Sequence, residues 1–148
     1  MTLMDELVDT YLEGNMEFNN YLDLETGTIV ADLDEEVTGE PGIDWDDPRS
    51  LERYIDIPQL TSDEAYWVRV RFAGRTEGDS QGLLSDALNG HKPFRRFKDA
   101  LSRLRLWDEW NKFERDWALR ELQFWVEQLP MPYETLAKRY EAYWQRSK

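Results

Sequence analysis

Apolar residues follow two different spacings in the first third of this chain. Steps of three and four over residues 3–12 predict a short helix, which Gly14 ends. Near-alternation over residues 18–24 and 28–33 then predicts two short strands. Gly27 lies between them and supplies the positive φ that a tight turn needs. The N-terminal part is therefore predicted to be a helix followed by a β-hairpin.

The next segment, residues 34–50, is rich in acids, glycine and proline and predicts a solvated loop. Residues 54–57 alternate before Pro58, which predicts a third strand beside the hairpin, because proline cannot donate to a further ladder. Thr61 and Glu64 have the spacing of a capping box, so a helix is expected to begin there and to end at Gly74.

The C-terminal half is predicted to be almost entirely helical. Its apolar positions recur at helical spacing, and proline and glycine separate the stretches. The predicted helices cover residues 83–88, a stretch from Pro93 to about Leu104, a long central helix over 107–129 that carries most of the tryptophans, and a last helix from Tyr133.

These elements predict an α+β fold, with a small N-terminal antiparallel sheet of two or three strands packed on a C-terminal helical bundle. At 148 residues the chain is predicted to be a single domain, 1–148. Within this domain, residues 1–60 are predicted to form an acidic part that consists of a helix, a hairpin, the loop 34–50 and a strand. Residues 61–148 are predicted to form a helical part.

Charge is distributed unevenly along the chain. The sequence has 31 acidic and 18 basic residues, a net charge of −13; residues 1–66 hold 19 of the acids and two of the bases. The two halves are therefore expected to attract each other, while the overall field makes duplex DNA an unlikely partner. The chain has no cysteine and no long apolar run, so a cytoplasmic protein that makes no membrane contact is expected.

Three motifs give the chain a resemblance to a known family. They are the turn from Asp23 to Gly27, the pair Ile57-Pro58, and the stretch Pro93-Phe94-Arg95-Arg96-Phe97-Lys98-Asp99 followed by Trp107 and Trp110. Over residues 20–125 the chain resembles the bacterial Uncharacterised Protein Family zero-one-five-eight. It departs from that family in two places. His91 and Lys92 precede the motif where the family usually has a glycine-rich stretch, and the acidic segment from Asp34 to Arg49 is longer than is typical. The resemblance implies membership of a single-domain family and supplies no activity and no catalytic residue.

The clearest candidate binding site is the start of the predicted helix at Pro93. Lys92, Arg95, Arg96 and Lys98 crowd its first turn, where the helix dipole favours anions over cations. One interpretation is that these cations bind an anion or an acidic partner. The alternative is structural: carboxylates of the acidic half, such as Asp23, Asp32 or Glu64, pair with the arginines.

Two further segments are candidate partner surfaces. Trp45 lies among Asp44, Asp46 and Asp47, an acidic and aromatic combination that suits docking of a basic partner. In the last helix, self-association or a protein partner is expected at aromatic residues beside basic ones, namely Tyr140, Tyr143 and Trp144.

The sequence favours a non-enzymatic interaction or binding protein. Common nucleotide-binding and hydrolase motifs are absent, the acidic runs do not fit a calcium loop, and neither a metal site nor a cofactor is predicted. One alternative is an RNA or nucleotide-phosphate binder that uses residues 92–98. A second is an acid–base enzyme in which His91 acts with a carboxylate such as Asp23 or Glu64, although no catalytic residue is assigned.

Overall fold

The computed structural model describes residues 1–14 and 18–146, and its contacts divide the chain into two compact units. Unit 1 comprises Met1–Gln59 and Leu119–Lys148, and unit 2 comprises Leu60–Ala118. The chain passes from unit 2 back to unit 1 within one helix. Unit 1 holds 21 acidic and 7 basic residues, whereas unit 2 holds 10 acidic and 11 basic residues.

The described elements form an α+β fold with the strands near the N-terminus and helices through the C-terminal part, as predicted. They are, in chain order, α1 (Leu3–Glu13), β1 (Asn19–Asp23), β2 (Thr28–Asp32), α2 (Glu35–Thr38), α3 (Pro48–Arg53), β3 (Tyr54–Asp56), α4 (Ser62–Arg75), α5 (Asp79–Leu88), α6 (Pro93–Leu104), α7 (Trp107–Val126) and α8 (Tyr133–Arg146). No helix in this described part is long and apolar enough to cross a membrane.

The sheet of unit 1 is antiparallel and has the strand order β2-β1-β3. Tyr21 is paired with Val30 on one side and with Asp56 on the other, which fixes the register of all three strands. The predicted hairpin and third strand are therefore confirmed. Gly27 has a φ of 72° at the hairpin turn, where a residue with a side chain would be strained.

An ion pair between a buried carboxylate and a partly exposed arginine holds the hairpin turn to the end of α3. Asp23 is only 3% exposed, and its two carboxylate oxygens accept hydrogen bonds from Nε and Nη2 of Arg53 at 2.9 and 2.8 Å. The same carboxylate accepts from the backbone N of Glu25 at 3.0 Å. Burial alone would raise the pKa of Asp23, but the hydrogen bonds and charge of Arg53 hold it below its ordinary value.

The hairpin turn also contacts α8. A Cβ atom at Gly27 would collide with the backbone of Leu136 and Tyr140, so only glycine allows this close approach. Arg139 donates from Nη1 to the carbonyl oxygen of Leu24 at 2.6 Å. The turn is therefore fixed on two sides, by α8 and by the Asp23–Arg53 pair.

Helices α1 and α8 complete the core of unit 1. Leu3, Leu7 and Leu136 are almost completely buried, as their helical spacing predicts. The hydroxyl of Tyr140 donates to Glu6 Oε2 at 2.7 Å, and burial followed by this contact raises the pKa of Tyr140 to about 12.

Unit 2 contains α4, α5, α6 and the first part of α7. Its core is an aromatic cluster: the ring centroid of Phe72 lies 5.3 Å from that of Trp110 and 6.3 Å from that of Phe97. Leu84 and Leu101 are fully buried in the same cluster. Tilted and edge-to-face arrangements of this kind add stability beyond the apolar area that they bury.

Several predicted boundaries differ from the structure. The segment 34–50, predicted as a loop, contains α2 and the beginning of α3. Asp47 caps α3 by accepting from the backbone N of Arg49, and Pro48 suits its first turn, so turn-forming residues start a helix here.

The other corrections concern helix ends. Helix α4 continues past Gly74 to Arg75, because its next cap is Thr76, and α5 begins four residues before Leu83. Helix α7 ends at Val126 instead of residue 129. Phe124 follows Trp117 by seven residues, at helical spacing, but it is 67% exposed, so the apolar stripe of α7 does not extend through the whole helix as a core face.

We expect the substitution Arg53→Met to destabilise the protein by about 3 kcal/mol, because it leaves the buried carboxylate of Asp23 without its counter-charge. Urea unfolding at neutral pH measures this loss. Arg49→Met is the matched control, since Arg49 forms an exposed pair with Asp47, and its unfolding midpoint should stay close to that of the wild type. Equal midpoints for the two variants would contradict the importance of the buried pair.

Candidate functional site

Helix α6 begins without the usual capping interaction. Its N-cap is Lys92, in the left-handed region with a φ of 53°, and no side chain hydrogen-bonds the first-turn amides. Pro93 occupies the first helical position, where its lack of an N–H costs nothing. No acid occupies the first turn, so the positive end of the helix dipole is reinforced by cations.

The four predicted site residues lie at this helix start and are all exposed. They are Lys92, Arg95, Arg96 and Lys98. Within unit 2, every residue of which the structure describes, none of them has a carboxylate within 4 Å of its charged nitrogen atoms. We call this set the α6 cation group.

The carboxylates suggested as structural partners of these arginines have other partners. Asp23 is paired with Arg53. Asp32 accepts from the backbone N of Ile43 at 3.0 Å and from Nε1 of Trp45 at 2.9 Å. Glu64 accepts from the hydroxyl of Thr61 at 3.0 Å in the cap of α4. Within unit 2, Glu64 therefore does not pair with the arginines of α6.

Arg96 lines a groove between α5 and α6. The groove has a volume of about 350 Å³, and its rim also carries Arg103, Asp86 and Asp99. A side chain at Gly90 would collide with the guanidinium of Arg96, so a glycine at position 90 leaves space for this arginine. The structure thus places Arg96 on the side of α6 that faces α5.

Lys98 lies on the opposite side of α6, near α7. The positive charge of Lys98 lowers the pKa of the half-buried carboxyl group of Glu114, and the charges of Arg69 and Arg115 act in the same direction. Since residues 96 and 98 are separated by about 200° around a helix, the α6 cation group spreads around the helix start and does not converge on one point.

Arg69 of α4 is the charged residue most enclosed by the aromatic core of unit 2. Its guanidinium carbon lies 4.4 Å from the ring centroid of Phe94, 5.0 Å from that of Trp110 and 5.8 Å from that of Phe97. Nη1 donates to the carbonyl oxygen of Ala65 at 2.9 Å, while the buried Nε has no hydrogen-bond partner. Both phenylalanines of the motif at 93–99 therefore stack on this arginine.

Arg69 and Glu114 are two half-buried charges of opposite sign without a direct ion pair. Burial raises the pKa of Glu114, and the charges of Arg69 and Lys98 only partly offset that effect. Burial likewise lowers the pKa of Arg69, and Glu114 opposes that shift. For each residue, burial therefore disfavours the charged form more than the opposite charge stabilises it.

Sequence reasoning missed Arg69 and Glu114, although the sequence contains a signal for both. Arg69 follows Ala65 by four residues on the stripe that continues at Phe72, and Glu114 follows Trp110 by four on the stripe that continues at Trp117. A charged residue at an apolar stripe position predicts a half-buried charge.

His91 is exposed just before the α6 cation group. Within unit 2 it forms no ion pair, and Glu64, its proposed partner there, is held in the cap of α4. Within unit 2, the structure therefore brings no carboxylate into an ion pair with His91.

The acidic segment around Trp45 is folded onto the sheet of unit 1. The ring centroid of Trp45 lies 4.9 Å from that of Tyr21 and 6.2 Å from that of Tyr54, which leaves the residue 37% exposed. Asp44 accepts from the backbone N of Asp46 at 3.1 Å, and Asp47 caps α3 and pairs with Arg49. These contacts give Asp44 and Asp47 local structural roles, and docking at this segment stays a prediction.

The three aromatic residues proposed as a contact surface on α8 differ in exposure. Tyr140 is buried and bonded to Glu6, whereas Tyr143 and Trp144 are 40% and 44% exposed and pack edge to face. Self-association through these residues also stays a prediction.

The described residues, 1–14 and 18–146, contain no group of three or more His, Asp or Glu side chains placed to hold a metal ion. None of the four residues of the α6 cation group forms an ion pair within unit 2, all of which the structure describes.

The fold and the site define an α+β protein with an exposed cationic helix start formed by the Pro93–Asp99 motif. The model of the uncharacterised protein family UPF0158 matches residues 1–134. The chain therefore belongs to this family, as its motifs suggested. No curated protein and no solved structure matches the chain.

We expect Glu114→Gln to stabilise the protein at pH 7, because burial raises the pKa of Glu114 and its ionised form is disfavoured in the folded state. In the unfolded state Glu114 has its lower, ordinary pKa. The destabilisation caused by its buried charge is therefore fully present at pH values above its pKa in the folded state. It decreases as the pH falls and vanishes below the ordinary glutamate value of about 4.3. Melting temperatures of both proteins between pH 4 and pH 7 test the trend.

Glu109→Gln, which removes an exposed carboxylate from the first turn of the same helix, should give no such gain at pH 7. A lower melting temperature for Glu114→Gln at pH 7 would mean that its attraction to Arg69 outweighs its burial.

Proposed function

We propose that this protein is a non-enzymatic binding protein that takes an acidic protein partner on the α6 cation group. The observation that carries the proposal is the absence, within unit 2, of any ion-pair partner for Lys92, Arg95, Arg96 and Lys98. Each of these side chains is exposed, so a partner reaches it without a rearrangement of the core.

The helix start supports an anionic contact in a second way. The first-turn amides of α6 receive no side-chain cap, and no acid balances the dipole. A carboxylate of a partner can therefore interact with both the amides and the cations, and charge-assisted hydrogen bonds to arginine are the stronger kind.

An acidic protein suits this surface better than single-stranded RNA. Sequence-tolerant RNA binding depends on exposed aromatic faces on which bases stack. The two aromatic residues of α6 offer little such surface, because Phe97 is buried and Arg69 lies over one face of the partly buried Phe94 ring. The net charge of −13 also opposes a long polyanion more than a short acidic segment.

We expect a short fluorescein-labelled polyglutamate peptide to bind the protein at low ionic strength and to bind more weakly as salt is added. The double substitution Arg95→Ala/Arg96→Ala should weaken this binding by about tenfold, since both side chains contribute unpaired charge at the helix start. Fluorescence anisotropy measures the affinity, and circular dichroism checks that the variant is folded.

The matched control is Arg49→Ala/Lys112→Ala, which removes the same charge from two exposed cations that already pair with Asp47 and Asp116. Its affinity should stay close to that of the wild type. Equal losses in both double variants would contradict a specific role of α6. If the protein bound polyuridylate RNA more tightly than the peptide, and if Arg95→Ala/Arg96→Ala abolished that RNA binding, the result would favour the RNA alternative instead.

A further inference from the structure

A second site of unit 2 lies away from the α6 cation group, in a cleft of about 520 Å³ between the end of α4, the start of α5 and the first part of α7. This volume is in the range of small-molecule sites. The lining residues are Phe72, Arg75, Thr76, Glu77, Ser80, Leu106, Glu109, Lys112, Phe113 and Asp116.

The floor of this cleft is apolar and well packed. Phe72 and Phe113 lie with their ring centroids 5.4 Å apart, and Leu106 extends the same surface. Phe72 belongs to the buried core, so the floor is fixed by the rest of unit 2. An apolar side chain of a ligand can therefore be desolvated here without rearrangement.

The walls of the cleft carry five charged residues of both signs, of which only two are paired with each other. Lys112 and Asp116 form an ion pair at 2.7 Å and largely neutralise one another. Arg75, whose guanidinium carbon lies 5.3 Å from the centroid of Phe113, has no carboxylate within ion-pair distance in unit 2. Glu77 and Glu109 likewise have no cationic partner there.

One free cation, two free carboxylates and an aromatic floor define the chemistry of a complementary ligand. A carboxylate of the ligand would pair with Arg75, an ammonium group with Glu77 or Glu109, and an apolar side chain would contact the rings. A purely anionic ligand would meet two carboxylates, and a purely cationic one would leave Arg75 unpaired. From this combination we propose that the cleft binds a zwitterion with an apolar side chain, of the class of free aromatic or branched amino acids.

The hydroxyl groups of the lining are consistent with such a ligand. Thr76 donates its hydroxyl hydrogen to the carbonyl oxygen of Ala73 at 2.7 Å and keeps oxygen lone pairs that can accept from an ammonium group. Ser80 lies in the first turn of α5 and can either donate or accept.

Binding of L-phenylalanine to the full-length protein tests the proposal when it is compared with two analogues that each lack one charge. These are 2-phenylethylamine, without the carboxylate, and 3-phenylpropionate, without the ammonium group. We expect both analogues to bind about tenfold more weakly than L-phenylalanine, and glycine, which lacks the side chain, to bind least. Isothermal titration calorimetry, or amide shifts in NMR spectra, gives the affinities.

Variants assign the two charged contacts. Arg75→Gln should weaken L-phenylalanine and 3-phenylpropionate about tenfold and leave 2-phenylethylamine unchanged, whereas Glu77→Gln/Glu109→Gln should have the reverse selectivity. The matched controls remove the same charges outside the cleft. They are Arg71→Gln on α4 and Asp86→Asn/Asp99→Asn in the α5–α6 groove.

Three results would overturn the proposal: no binding of L-phenylalanine at millimolar concentration, equal affinities for the three phenyl compounds, or equal effects of Arg75→Gln and Arg71→Gln. Because none of these measurements uses the α6 cation group, they are independent of the proposed acidic partner.

Discussion

The ion pair between the buried carboxylate of Asp23 and the partly exposed Arg53 is the interaction on which the arrangement of unit 1 depends. It joins the end of β1 to the end of α3, 30 residues further along the chain, immediately before β3. A buried carboxylate is tolerated only when its hydrogen-bonding capacity is satisfied, and here Arg53 and the backbone of Glu25 together satisfy it. The pair therefore requires α3 to end beside the hairpin turn, and β3 is added to β1 from that point.

The same turn explains why the motif from Asp23 to Gly27 has its particular composition. Asp23 accepts from Arg53, Leu24 offers its carbonyl oxygen to Arg139, and Gly27 allows the backbone of α8 to approach. Each of these residues contacts a segment that is distant in sequence. The composition of this family motif is thus accounted for by the packing of unit 1.

Local patterns in the sequence were sufficient to predict the hairpin, the third strand and the cap of α4, because each depends on neighbouring residues. The loop prediction for residues 34–50 was wrong at 35–38 and 48–50, because acids and proline are as favourable at the start of a helix as in a loop, whereas residues 39–47 are irregular as predicted. The Asp23–Arg53 pair could not be predicted from spacing, since its two residues meet only through the fold. The exposed cations of α6 were identified from their charge alone. The half-buried position of Arg69 could have been predicted only from its place on the apolar stripe of α4.

The charge asymmetry of the chain was a good guide to where acids lie and a poor guide to what they contact. Unit 1 has three times as many acidic as basic residues, yet its named carboxylates bond to Arg53, to Trp45 and to backbone amides. Unit 2 is almost neutral in total, and nevertheless the α6 cation group and the cleft at Arg75 keep charges without an internal partner. The net charge of a unit adds up charges that are further apart than the two members of an ion pair. It therefore cannot identify a binding site. Unpaired charge beside a fixed apolar surface is the more specific criterion, and this criterion is the reason why both of our proposals place binding in unit 2.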